Sequence, residues 1–162
     1  MSNVALVKSE GNRFVIEVEG HLSGGSSNLY ALAVPNDCEI HLVFRRSFSV
    51  SAVGLKKMGE WLRSILSKTT VMHHCPSGMV WHLSFLKGAL PENVEFQSFY
   101  VPYYSASSEL ELDVLFVKGT HFSKEGSSVV LKEPEVLDED GKRMSLDILD
   151  GKFFVFLEEY SR

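Results

Sequence analysis

Apolar and polar positions alternate first at residues 4–7 and 13–18, most clearly in FVIEVEG, with Glu10, Gly11 and Asn12 between the two runs. Strict alternation places every second side chain on one face of a pleated strand, and a Gly-Asn pair between two such runs predicts a β-hairpin. Residues 20–27 are rich in Gly and Ser and form a connector. Leu29, Leu32 and Ala33 then recur at helical spacing until Pro35, predicting a short first helix. Ile40, Leu42 and Phe44 alternate again, as a strand with at least one buried face.

The period changes after the turn FSVSAVG. Leu55, Met58, Leu62, Ile65 and Leu66 fall on one helical stripe, whereas Lys56, Lys57, Glu60 and Arg63 lie mainly elsewhere, so this segment predicts a helix docked on a sheet. Thr69 to His73 is another β-prone run. Met79, Leu83, Leu86 and Leu90 line a further helix, with Pro76 suited to its first turn because proline lacks the amide that a helix start leaves unpaired. The resulting order is β-β-α-β-α-β-α.

From residue 94 the pattern changes to long β-prone segments, VEFQSFYVPYY and LELDVLFVKGTHF, with no helix between them, which predicts antiparallel strands. Residues 133–140 are acidic and turn-rich, and the closing KFFVFLEEY reads as a last short helix. The fold class expected is α/β. Residues 1–92 form an α/β domain and residues 93–162 a β-rich C-terminal extension packed on the same core.

Composition narrows the function classes. With 162 residues, 44% hydrophobic and 11% aromatic, the chain can bury one core without staples. Its formal net charge of -5, and basic pairs limited to Arg45 with Arg46, Lys56 with Lys57 and Lys142 with Arg143, disfavour nucleic acid and anionic membranes as partners. Cys38 and Cys75 are the only cysteines, too few for a disulfide framework. The first residues lack a secretory pattern and no apolar run reaches membrane-spanning length, so a cytoplasmic setting is expected.

Candidate chemistry is sparse. His73, His74, Cys75 and His82 offer good zinc-ligand types, but neighbours on a strand face opposite sides, and His82 has no histidine at a useful spacing. A hydrolase needs a serine with a positioned base; the turn at residues 48–55 shows no base close by in the sequence, lacks a Gly-x-Ser-x-Gly elbow and carries Ala52 at its tip. Gly24 and Gly25 lack the spacing and the following Lys of a phosphate loop. Glu109, Glu111 and Asp113 read as the solvated face of a strand, and Asp138, Glu139 and Asp140 lack calcium-loop spacing. Trp61, Trp81 and residues 99–104 read as packing. No catalytic residue, metal ligand or cofactor is expected.

The order of four motifs resembles the STAS-like family, named for sulfate transporters and anti-sigma-factor antagonists. They are EGHL at residues 19–22, FSVSAVGL before the helix, HCPSGMVWHLSFLKG around the next helix and QSFYVPYY leading into the tail. The resemblance is strong over residues 12–104 and implies a STAS-like mixed central sheet flanked by helices. It also implies a protein partner, kinase-like or sigma-regulatory in kind. In that family the turn carries a serine that accepts phosphate. Aligned on Gly54, that position is Ala52, whose methyl group cannot be phosphorylated; Ser51 and Ser49 lie just before it. Some relatives carry two Cys-x-x-Cys pairs that bind structural zinc. Here the first pair aligns with Ser105 and Ser108 and the second with Leu137 and Asp140, so no zinc is expected.

The function expected is a non-catalytic regulatory protein-interaction module. Its working surface is Ser49, Ser51, Ala52, Val53, Gly54, Lys56 and Lys57. A small-molecule sensor and a self-associating homodimer are the alternatives from other classes.

Overall fold

The structure, a computed structural model, describes residues 3–148 and 151–160. It begins with the hairpin of β1 (Val4–Glu10) and β2 (Arg13–Val18), paired antiparallel from Glu10↔Arg13 outward. Gly11, at φ +60°, takes the left-handed first position of the two-residue turn, where a Cβ would be strained. Next come the short β3 (His21–Leu22), β4 (Glu39–Phe44), β5 (Ser49–Val50), α1 (Ala52–Ser64), β6 (Thr69–His73), α2 (Ser77–Phe85) and β7 (Val94–Phe96). The main sheet has five strands in the order β1-β2-β4-β6-β7, with β2, β4, β6 and β7 parallel and β1 antiparallel at the edge. The fold is mixed α/β.

Alternation divides the sheet into two unlike faces. Phe14, Ile16, Val18, Ile40, Leu42, Phe44, Met72, Val94 and Phe96 are buried. They join one cluster with Leu55, Met58 and Leu62 of α1 and Met79, Val80 and Leu83 of α2. Each large aliphatic side chain removed from water this way contributes about 1.5–3 kcal/mol. Residues of opposite parity, including Val15, Glu17, Glu39, His41, Val43, Val71, His73 and Glu95, remain only partly covered.

The tail adds β8 (Ser98–Ser105), β9 (Leu110–Val117), β10 (Phe122–Glu125), β11 (Ser128–Leu131), β12 (Ser145–Leu146) and α3 (Phe156–Tyr160), with a 3-10 turn at Lys152–Phe154 before α3. β12, β8 and β9 form a three-stranded antiparallel sheet, and β10 pairs with β11. Phe99 is its hub, with ring centroids 5.0 Å from Phe122 and 5.1 Å from Phe156, and Phe116 stacks on Phe154 at 6.0 Å.

Several boundaries differ from the sequence reading. The expected first helix is a single 3-10 turn, Asn28–Ala31, started by the Ser27 hydroxyl accepting from the Leu29 amide. Beyond it only Leu32 and Val34 turn partly inward, and Pro35 blocks continuation. α1 starts at Ala52 and stops at Ser64, which leaves Leu66 70% exposed rather than on the buried stripe. α2 ends at Phe85, so Leu86 caps it and Leu90 packs from the following loop; Pro76 is its N-cap. Val94–Phe96 does not join the antiparallel tail. It pairs parallel with β6, so the main sheet and the single core cluster draw on both sides of the 92/93 boundary. Among the described residues no helix is long and apolar enough to cross a membrane.

Candidate functional site

Parallel strands deliver their following loops to one end of the sheet, where helix starts gather and ligands or partners are commonly met. β3 and β5 pair there, His21↔Ser49 and Leu22↔Val50, which fixes the path into α1. The Ser51 amide donates to the Leu22 carbonyl at 3.0 Å, and the Ser51 hydroxyl accepts from the Gly54 amide at 3.0 Å. Ser51 is therefore the N-cap of α1. Its oxygen is engaged in holding the helix start.

The structure brings Ser49, Ser51, Ala52, Val53, Lys56 and Lys57 together around this start. Val53 is 58% exposed, with Gly24 of the connector so close that a Cβ there would lie 2.7 Å from Val53 Cγ1. Lys56 and Lys57 are exposed and make no ion pair among the described residues. Gly54 has a different role. It is buried, and a Cβ on it would sit 2.2 Å from the Leu22 carbonyl oxygen, so it lets α1 pack against β3 and presents no surface to a partner.

The turn does have an imidazole beside it, contrary to the sequence reading. His21 Nδ1 lies 2.8 Å from Ser49 Oγ, a contact between residues 28 positions apart that only the β3–β5 pairing reveals. The pair is exposed, and among the described residues no carboxylate reaches His21 to orient it as a nucleophile's base would require.

The positions aligned with the Cys-x-x-Cys pairs do come close in space. Ser105 and Ser107 donate hydroxyls to Asp138 Oδ2 at 2.6 and 2.9 Å, and the Asp140 and Lys142 amides donate to its Oδ1 at 3.0 and 2.8 Å. Those bonds, the Ser105 hydroxyl foremost, hold the Asp138 carboxyl down at about 2. Leu137 is 53% exposed, and the Ser108 amide turns back to Ser105 Oγ. A carboxylate knot thus joins the end of β8 to the acidic loop. Among the described residues no group of three His, Cys, Asp or Glu side chains is placed to hold a metal ion.

The histidines divide differently from the sequence reading. His73 closes β6, but His74 leaves the strand at φ +57°, so the two are not successive strand residues. His73 instead meets His41 on β4, with Nε2 and Nδ1 2.8 Å apart, and His41 Nε2 lies 2.5 Å from Glu39 Oε1. Burial first, then the neighbouring His41, pushes the His73 imidazole down to about 4. His41 carried no signal of this role in the sequence, because only the parallel register His41↔Val71 brings it beside His73.

Comparison with family models, curated proteins and solved structures finds no match for this chain.

Proposed function

We propose that the chain is a non-catalytic regulatory module that binds a protein partner through the start of α1. On this reading it resembles an anti-sigma-factor antagonist of the STAS-like kind without the phosphorylatable serine. The observation that carries it is Val53, an apolar side chain 58% exposed at a helix start, flanked by Lys56 and Lys57, cations that make no ion pair among the described residues. An exposed valine beside two exposed lysines fits a partner that offers a small apolar recess edged by carboxylates. The sheet, with one antiparallel edge strand beside four parallel ones, is mixed α/β as this reading expects, and the turn between β4 and α1 lies at the carboxyl end of the parallel strands. Ala52 then fixes the surface in its unmodified charge state, and regulation passes to abundance or to another site. A kinase-like or sigma-regulatory partner and a cytoplasmic setting belong to the same reading.

Capture from native extract with wild type and with Ala52→Glu as bait tests it. A carboxylate in the first helical turn favours the helix electrostatically, so the variant keeps its fold while obstructing the surface. Loss of a specifically captured protein supports the reading; equal capture contradicts it.

One observation favours a second reading, self-association. β9 is an edge strand, with Leu110 37% and Leu112 42% exposed, and such an edge can pair with a second copy. A mass that doubles with concentration in sedimentation would favour it over partner binding.

A further inference from the structure

A cleft of about 320 Å³ opens at the carboxyl ends of β4 and β6, facing the β8–β9 hairpin. Its floor and walls are unlike in charge. From the sheet side come Arg45, Arg46 and His74; from the hairpin come Tyr100, Glu111, Leu112 and Asp113. Register explains the second set: Tyr104↔Glu111 and Pro102↔Asp113 are directly opposed pairs, so both acids share the face of β8 that carries Tyr100.

The charges are distributed unevenly. The Arg45 guanidinium donates to Glu17 at 2.9 and 3.1 Å and to Glu19 at 3.0 Å, so it is already neutralised from behind. Arg46 has no carboxylate partner among the described residues; its guanidinium carbon lies 5.5 Å above the Tyr100 ring centroid. Glu111 makes no hydrogen bond or ion pair there, and Asp113 accepts only a long bond, 3.4 Å, from the Ser77 hydroxyl. Opposite charges therefore face one another across the cleft without meeting. His74 reaches its rim through a left-handed backbone, φ +57°, which costs a non-glycine residue energy; its amide is anchored on Ser98 Oγ at 2.9 Å.

We propose that this cleft binds a small zwitterion of the amino acid class, its carboxylate on Arg46, its ammonium on Glu111 and Asp113, and its side chain over Tyr100. A simple anion would meet the two carboxylates, and a simple cation would meet the guanidinium. A ligand bearing both charges completes both walls at once, and bidentate guanidinium–carboxylate geometry fixes its orientation. The volume takes one amino acid with a sizeable side chain or a dipeptide. This assignment does not depend on the α1 surface having a partner.

Amide-resolved NMR titration of the full chain tests it, using free L-amino acids and dipeptides as probes, with their N-acetylated and C-amidated forms as controls. The expected result is saturable shifts at the His74, Tyr100 and Leu112 amides with at least one zwitterionic probe, and none with its capped forms. Arg46→Met and Glu111→Gln should each weaken that binding about tenfold or more. The absence of saturable shifts for every probe at millimolar concentration overturns the proposal, as do equal responses to capped forms or binding indifferent to both substitutions. If a variant fails to fold, the capped-form comparison on wild type still decides.

Discussion

His41 and His73 meet on adjacent parallel strands, Nδ1 of the first 2.8 Å from Nε2 of the second, with their rings stacked at 5.1 Å. Glu39 lies on the far nitrogen of His41, so one carboxylate and two imidazoles form a chain along the partly covered face of the sheet. One ring nitrogen of the His41–His73 contact must donate and the other accept, which a second proton would prevent.

Stability should consequently fall on mild acidification. Burial foremost, then the neighbouring His41, His74 and Arg13, hold the His73 imidazole down at about 4 in the fold, against 6.5 for the free side chain, while Glu39 opposes them. Between those values the unfolded chain takes up a proton that the fold refuses. The stabilisation is therefore complete above pH about 6.5 and is lost as pH falls toward about 4. Urea unfolding near pH 7 and near pH 5 should show the midpoint decreasing for wild type, and clearly less so for His73→Gln. An identical decrease in both would show that the histidine contact is not the cause.

A second acid-sensitive step should follow at lower pH. Asp138 is held at about 2, below its ordinary 3.8, so its share of stability is present above 3.8 and disappears as pH falls through about 2. Asp138→Ala, which strands the Ser105 and Ser107 hydroxyls and two amides, should lower the thermal midpoint at neutral pH. Asp138→Asn should lower it less, because one amide oxygen still accepts. Circular dichroism melts distinguish the two.

Glycines in helices separate packing from propensity. Replacing an exposed helical glycine by alanine commonly stabilises by about 0.5–1 kcal/mol. Gly78→Ala, with nothing within 4 Å of the added Cβ, should behave this way. Gly59→Ala should instead destabilise by roughly 2–3 kcal/mol, since its Cβ would lie 1.8 Å from the Ala89 carbonyl oxygen and backbone must move. Denaturant midpoints of the two variants should move in opposite directions.

Much of this architecture was readable in the chain, and the exceptions have physical causes. The hairpin, the strand around Leu42 and the stripe Leu55, Met58 and Leu62 follow from local period, which a sequence displays directly. Val94–Phe96 could not be placed by period, because three alternating residues look the same whether they join a parallel or an antiparallel partner. The exposure of Lys56 and Lys57 was legible from helical phase and Val53 was read only as part of the turn, which the structure makes the first turn of α1, whereas the inward role of Gly54 depends on Leu22, 32 positions earlier. The same long-range pairing hides the His21–Ser49 contact, the His41–His73 chain and the charged cleft. Arg45 and Arg46 read as an isolated basic pair, and Glu111 with Asp113 as a solvated face, until the hairpin is set opposite the sheet.

Ser51 is a structural residue on this account. Ser51→Ala should cost about 1 kcal/mol by removing the bond to the Gly54 amide, and Ser51→Asp should restore most of it because a carboxylate caps equally well. Chemical unfolding of the three proteins measures this directly. Equal stability for Ser51→Ala and wild type would exclude the capping role.

The account stands on the start of α1 as a surface for a protein partner. Its most direct measurement is the dissociation constant of the captured partner for wild type, Val53→Asp and Lys57→Glu, with Glu125→Lys on β10, outside that surface, as the control. The first two substitutions should each weaken binding at least about tenfold, equivalent to ~1.4 kcal/mol, while the control leaves it unchanged. Equal affinity across all four folded proteins would contradict the account.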